Sequence, residues 1–123
     1  MNLKSTEFSN DKIIEIGLKA LDDELISLKE LPKYLNDDFA NAVRTILRSK
    51  GRVVLTGIGK SEIIAQKISA TLNSTGQPAL FMHAADAIHG DLGMIQQNDV
   101  IIAISKSGNT VEMITLLPLI KKS

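Results

Sequence analysis

The sequence predicts an α/β protein, a parallel sheet flanked by helices. Three observations predict it. Val53-Val54-Leu55-Thr56, Ala79-Leu80-Phe81-Met82 and Val100-Ile101-Ile102-Ala103-Ile104 are short apolar runs, the third apolar on consecutive positions as burial of both faces requires. Helical patterns separate the runs, and strands alternating with helices pair in parallel through right-handed crossovers. Glycine-bearing turns, Gly57-Ile58-Gly59 and Ser107-Gly108, follow the first and third runs.

The elements follow in order. A long proline-free helix occupies residues 11–31, with Ser9, Asn10 or Asp11 to cap its start; residues 1–10 read as a flexible terminus. Ile14, Leu18, Leu21, Leu25 and Leu28 recur at alternating steps of four and three, the seam spacing of a coiled coil. Ile13, Ile16 and Ala20 widen this stripe, which suits a helix packed on its own domain as well as one packed against another subunit. Pro32 closes the helix by pushing residue 31 out of helical dihedrals. A second helix starts near residues 36–38, shows Phe39, Val43, Ile46 and Leu47 on one face, and ends at Gly51 as a left-handed terminator. After the first strand, a helix over residues 61–73 turns Ile63, Ile64, Ile68 and Leu72 inward and stops at Gly76. Residues 83–98 form a long connection with little periodicity. The last helix starts near Thr110, and Pro118 bends or ends it.

Composition narrows the function. Fourteen basic and fourteen acidic residues among 123 give zero net charge, which argues against nucleic acid or an anionic membrane as partner. Aromatics make up 3%, too few for a base-stacking platform, and no apolar run approaches the ~20 residues that span a bilayer. The absence of cysteine removes disulfides and thiolate chemistry, and the N-terminus has no signal-peptide core. A cytoplasmic, single-domain protein is the resulting expectation.

The chemistry falls at the carboxyl ends of the strands. In an open parallel sheet the loops there converge where the strand order reverses. For an order 2-1-3, the turns Gly57–Ser61 and Ser105–Thr110 meet over one crevice. They bring Gly59, Ser61, Ser105, Ser107, Gly108 and Thr110 together with two helix N-termini, whose free N–H groups and dipole favour an anion. A phosphate site is the leading expectation. Lys60 is placed to steady an oxyanion, and Glu112 and His89 are the candidate proton carriers. Capping chemistry and dipole matching also account for single members of this set.

Other glycine loops are excluded. A Walker loop needs glycine where Val54 stands, and a dinucleotide fingerprint needs glycine or alanine where Glu62 stands. His83 and His89 with Asp86 or Asp91 lack metal-ligand spacing, so no metal is expected.

The strings Thr56–Ser61, Ser74-Thr75-Gly76, His89-Gly90-Asp91-Leu92-Gly93-Met94 and Ala103–Gly108 resemble the sugar isomerase (SIS) domain family, most narrowly its arabinose-5-phosphate isomerases. The resemblance covers residues 11–123, and the His-Gly-Asp-Leu-Gly-Met segment is its most specific part. It implies a flavodoxin-like parallel sheet, a tetramer and no cofactor. It also implies interconversion of D-arabinose 5-phosphate and D-ribulose 5-phosphate through an enediol, feeding Kdo and capsule synthesis. Carried over by residue, the phosphate-binding hydroxyls fall on Ser61, Ser105, Ser107 and Thr110, and the catalytic groups on Lys60, His89 and Glu112. Position 106 is Lys where the family usually has Asn or Gln, and Asn109 stands where Glu is common. The family's further strands, a second glutamate, a histidine and often paired CBS domains follow beyond the residues present, so the domain reads as truncated after its third strand and helix. A non-catalytic phosphosugar-binding module and an inactive remnant therefore stand beside the isomerase as alternatives.

Overall fold

The computed structural model describes residues 7–108 and 111–122, the side chains of Asp91, Glu112 and Lys122 excepted. The chain divides into two compact units, Met1–Ala42 and Val43–Ser123.

In the first unit, α1 (Asn10–Glu30) begins at Ser9, whose Oγ accepts the Lys12 N–H at 3.2 Å. Leu18, Leu21, Leu25 and Leu28 are 54–62% exposed, so the seam lies open along the helix. Leu31 keeps right-handed helical dihedrals (φ −63°, ψ −33°), contrary to the expectation from Pro32. The chain instead tightens into a 3₁₀ turn, Leu31–Tyr34, whose early positions need no N–H from proline. Asn36 Oδ1 then accepts the N–H groups of Asp38 and Phe39 and opens α2 (Asp37–Arg48).

The second unit carries the sheet. β1 (Val53–Gly57), β2 (Ala79–His83) and β3 (Val100–Ile104) are parallel, as the sequence predicts, and stand in the order β2-β1-β3, the one on which the shared crevice depends. Val53 aligns with Ala79 and Val100, and Gly57 with His83 and Ile104, so all three strands end level. Alternate residues of β1 feed opposite faces. Val54 packs with Met82, Ala84, Ala87, Met113 and Leu116 beneath α4 (Ala84–Ile88) and α5 (Val111–Lys122). Val53 and Leu55 pack with Ala65 of α3 (Lys60–Ser74) on the other face, joined by Ile46, Leu72 and Phe81. The result is a three-layer α/β/α arrangement with β1 fully buried.

Several local expectations are corrected. β3 is half-buried with Ala103 exposed, because it is the outer strand of the described sheet. On α3 the inward residues are Ala65, Ser69 and Leu72, while Ile63 and Ile64 are more than half exposed. Small residues let the helix lie close on β1, and the isoleucines face outward. On α2 only Ile46 of its stripe reaches the core; Phe39, Val43 and Leu47 are exposed. Gly51 is not left-handed; it is required because the Asn98 carbonyl lies against it, leaving no room for a Cβ. The connection after β2 holds α4 and a 3₁₀ turn, Asp91–Met94, since five residues are too few to show a helical period. α5 runs through Pro118 to Lys122. Ile120, beyond the proline, packs against the core and offsets the lost backbone bond.

Candidate functional site

Because β1 and β3 are neighbours, the turns leaving them lie side by side. They enclose a cavity of about 190 Å³ with an apolar floor of Ile58, Ile104 and Met113. Its polar lining among the described residues is Lys60, Ser61, Ser105, Lys106 and Ser107, two of them lysines. That volume is below the ~300–1,000 Å³ of drug-sized pockets and suits a phosphate with a short carbon chain. Larger hollows of about 630 and 530 Å³ both border Gln97 and Asp99, at the amino end of β3. Ligands of open parallel sheets bind at the opposite, carboxyl end.

The β1–α3 turn is shaped by two glycines. A Cβ on Gly57 would stand 2.9 Å from the Ser61 carbonyl, so only glycine allows the helix to start this close to the strand. Gly59 holds φ +64°, ψ −128° at the N-cap of α3, a conformation open to glycine. No side chain caps α3, whose Glu62 N–H bonds the Gly59 carbonyl at 3.1 Å, and the start of the helix lies at the cavity end. On the β3 side, Ser105 Oγ accepts the Gly108 N–H at 2.8 Å, with Gly108 at φ +72°. A hydroxyl that accepts still has its own proton to donate, so Ser105 both builds its turn and offers a donor to an anion.

Lys60, Ser61, Ser105 and Ser107 thus share one cavity, and Lys106 joins them. Gly59 and Gly108 shape its two turns. His89 is the C-cap of α4 and is exposed, away from the residues lining that cavity. Thr110 and the side chain of Glu112 lie outside the described residues. The sequence did not signal the contact between Glu62 and His83, whose carboxylate and imidazole approach to 3.1 Å at the β2 edge. Among the described residues no group of three or more His, Asp or Glu side chains is placed to hold a metal, and no helix is long and apolar enough to cross a membrane.

A three-layer α/β unit with a hydroxyl- and lysine-lined cavity where its strand order reverses belongs to the open parallel-sheet proteins, whose ligands bind at that edge. The SIS domain model matches residues 46–123, and the chain belongs to that family. It is 54% identical over 88 residues to arabinose 5-phosphate isomerase KdsD of Pseudomonas aeruginosa, covering 72% of this chain and 27% of the relative. It is 47% identical over 109 residues to arabinose 5-phosphate isomerase GutQ of Escherichia coli K12, covering 89% and 34% respectively. A solved Escherichia coli CFT073 protein in complex with arabinose 5-phosphate superposes with a TM-score of 0.87 at 41% identity, over 94% of this chain and 61% of that one. The chain therefore spans about a third of the length of these curated relatives.

Proposed function

We propose that this chain, by itself or as the N-terminal portion of a longer enzyme, serves the interconversion of D-arabinose 5-phosphate and D-ribulose 5-phosphate. The observation that carries the reading is one cavity lined by Lys60, Ser61, Ser105 and Ser107 at the carboxyl ends of adjacent strands. Serine hydroxyls and the α3 N-terminus bind the phosphate, and Lys106 adds charge beside it. Lys60 steadies the oxygen that becomes anionic in the enediolate. Glu112 or His89 carries the proton between C1 and C2, and Thr110 completes the phosphate shell. The activity of the relatives supports the choice of sugar.

The exposed leucines of α1 and isoleucines of α3 support a homo-oligomer, a tetramer by family likeness. The lack of cysteine suits the cytoplasm, and the family likeness supports a role in Kdo synthesis.

Calorimetry with arabinose 5-phosphate and with arabinose tests the site. Binding that depends on the phosphate is expected; equal binding of both sugars, or of neither, overturns it. Binding without turnover of ribulose 5-phosphate assigns a phosphosugar-binding module instead.

A further inference from the structure

Glu62 stands next to Ser61 and two residues from Lys60, in the first turn of α3. A carboxylate here faces a cost, since its charge repels the anion that the turn is built to hold. The structure turns it aside. Glu62 Oε2 lies 3.1 Å from His83 Nε2, and Gln66 Nε2 donates to Glu62 Oε1 at 3.3 Å. The other ring nitrogen of His83 accepts the Ala85 N–H at 3.2 Å and so caps α4. With Nδ1 engaged by the helix cap, Nε2 is the ring atom that meets the Glu62 carboxylate. The edge of Phe81 against the ring, at 6.4 Å and 87°, restrains the imidazole. One imidazole therefore joins the turn that bears Lys60 and Ser61 to the five-residue helix that ends at His89. A helix that short does not hold itself in water, so its cap and the burial of Ala84 and Ala87 maintain it.

We propose that Glu62 and His83 are positioning residues: their 3.1 Å side-chain contact fastens α4, and with it His89, to the β1–α3 turn, so that an anion bound at that turn also orders His89. Neither residue lines the cavity. The second half of the statement rests on the phosphosugar reading of the site.

Amide hydrogen exchange on the full chain tests it, with arabinose 5-phosphate as probe. Glu62→Ala is expected to speed exchange of Ala85 to His89 about fivefold, because the imidazole that caps α4 loses its hold on the β1–α3 turn. Glu62→Gln keeps a polar side chain of the same length against the imidazole and is expected to stay within about twofold of wild type; it also decides the matter should Glu62→Ala fail to fold. His83→Asn caps α4 through Oδ1 and does not reach Glu62. It is expected to restore basal protection while losing the slowing of α4 exchange that arabinose 5-phosphate causes in the wild type. Unchanged α4 exchange in Glu62→Ala overturns the proposal, as does full ligand-linked slowing in His83→Asn. If arabinose 5-phosphate alters no amide of the β1–α3 turn in the wild type, the phosphosugar reading fails, and basal exchange in Glu62→Ala still decides the pair.

Discussion

Arg52 and Asp99 clasp each other across the amino-terminal edge of the sheet. Arg52 Nη2 donates to Asp99 Oδ2 at 2.7 Å and Nε to Oδ1 at 3.2 Å, while the Arg52 backbone N–H reaches Oδ1 at 2.8 Å. The Asp99 side chain is fully buried, and Gln96 N–H completes its shell. The pair joins the residues that immediately precede β1 and β3, whose ladder begins at Val53 and Val100.

The pair predicts acid sensitivity. The side-chain hydrogen bond from Arg52, with those from the Gln96 and Arg52 backbone, outweighs burial and holds the Asp99 carboxyl down to about 2 from its ordinary 3.8. A folded-state value below the unfolded one gives stability that is complete above the unfolded value and lost as pH falls toward the folded one. Urea midpoints of the wild type should hold above about pH 5 and fall between pH 4 and pH 2. Asp99→Asn should start lower and lose most of that slope.

Two glycines should respond with opposite signs. Gly57→Ala pushes a Cβ onto the Ser61 carbonyl at 2.9 Å, and thermal or urea melts should show a loss of about 1–3 kcal/mol. Its displaced Ser61 turn should also weaken arabinose 5-phosphate binding in calorimetry. Gly17, inside α1 with nothing within 4 Å of its missing Cβ, should gain about 0.5–1 kcal/mol as Gly17→Ala.

Ser105→Ala removes the acceptor for the Gly108 N–H at 2.8 Å and a donor to the anion. Stability should drop by about 1 kcal/mol and affinity for arabinose 5-phosphate by about fivefold or more. Ser105→Thr, which keeps the hydroxyl, should retain most of both.

Glu112→Gln should cut any ribulose 5-phosphate turnover by about 10²–10⁴-fold, the usual worth of a general base, and leave phosphosugar affinity nearly intact. A coupled assay beside calorimetry separates the two. Undiminished turnover removes Glu112 from the proton path.

Leu21 and Leu25 are 62% and 54% exposed on the open seam of α1. Replacing both by Lys should shift the particle to a smaller mass on light scattering; an unchanged mass assigns the stripe no role in self-association.

Much of this was legible in order along the chain. The strand Val100–Ile104 was readable to the residue, because a β-branched apolar run bounded by Asp99 and Ser105 has little else to be. The convergence of Lys60, Ser61, Ser105 and Ser107 followed from strand order, which alternation of strands and helices suggests. Helix faces were less readable. On α3 the larger apolar residues, Ile63 and Ile64, lie outside, and Ala65 lies inside, since close packing on β1 selects small volume over hydrophobicity. Likewise the short helix Ala84–Ile88 left no period to detect.

By itself, then, the sequence determined the three strands and the longer helices, where the glycine turns fall, and which residue types gather at the turns. These depend on local sterics and on side-chain periodicity, which neighbouring residues carry. Only the tertiary structure decided that Glu62 meets His83 and that Asp99 meets Arg52, pairs separated by 21 and 47 positions. Such pairings depend on the level alignment of parallel strands and on the cost of burying a charge without a partner, and no local pattern records either.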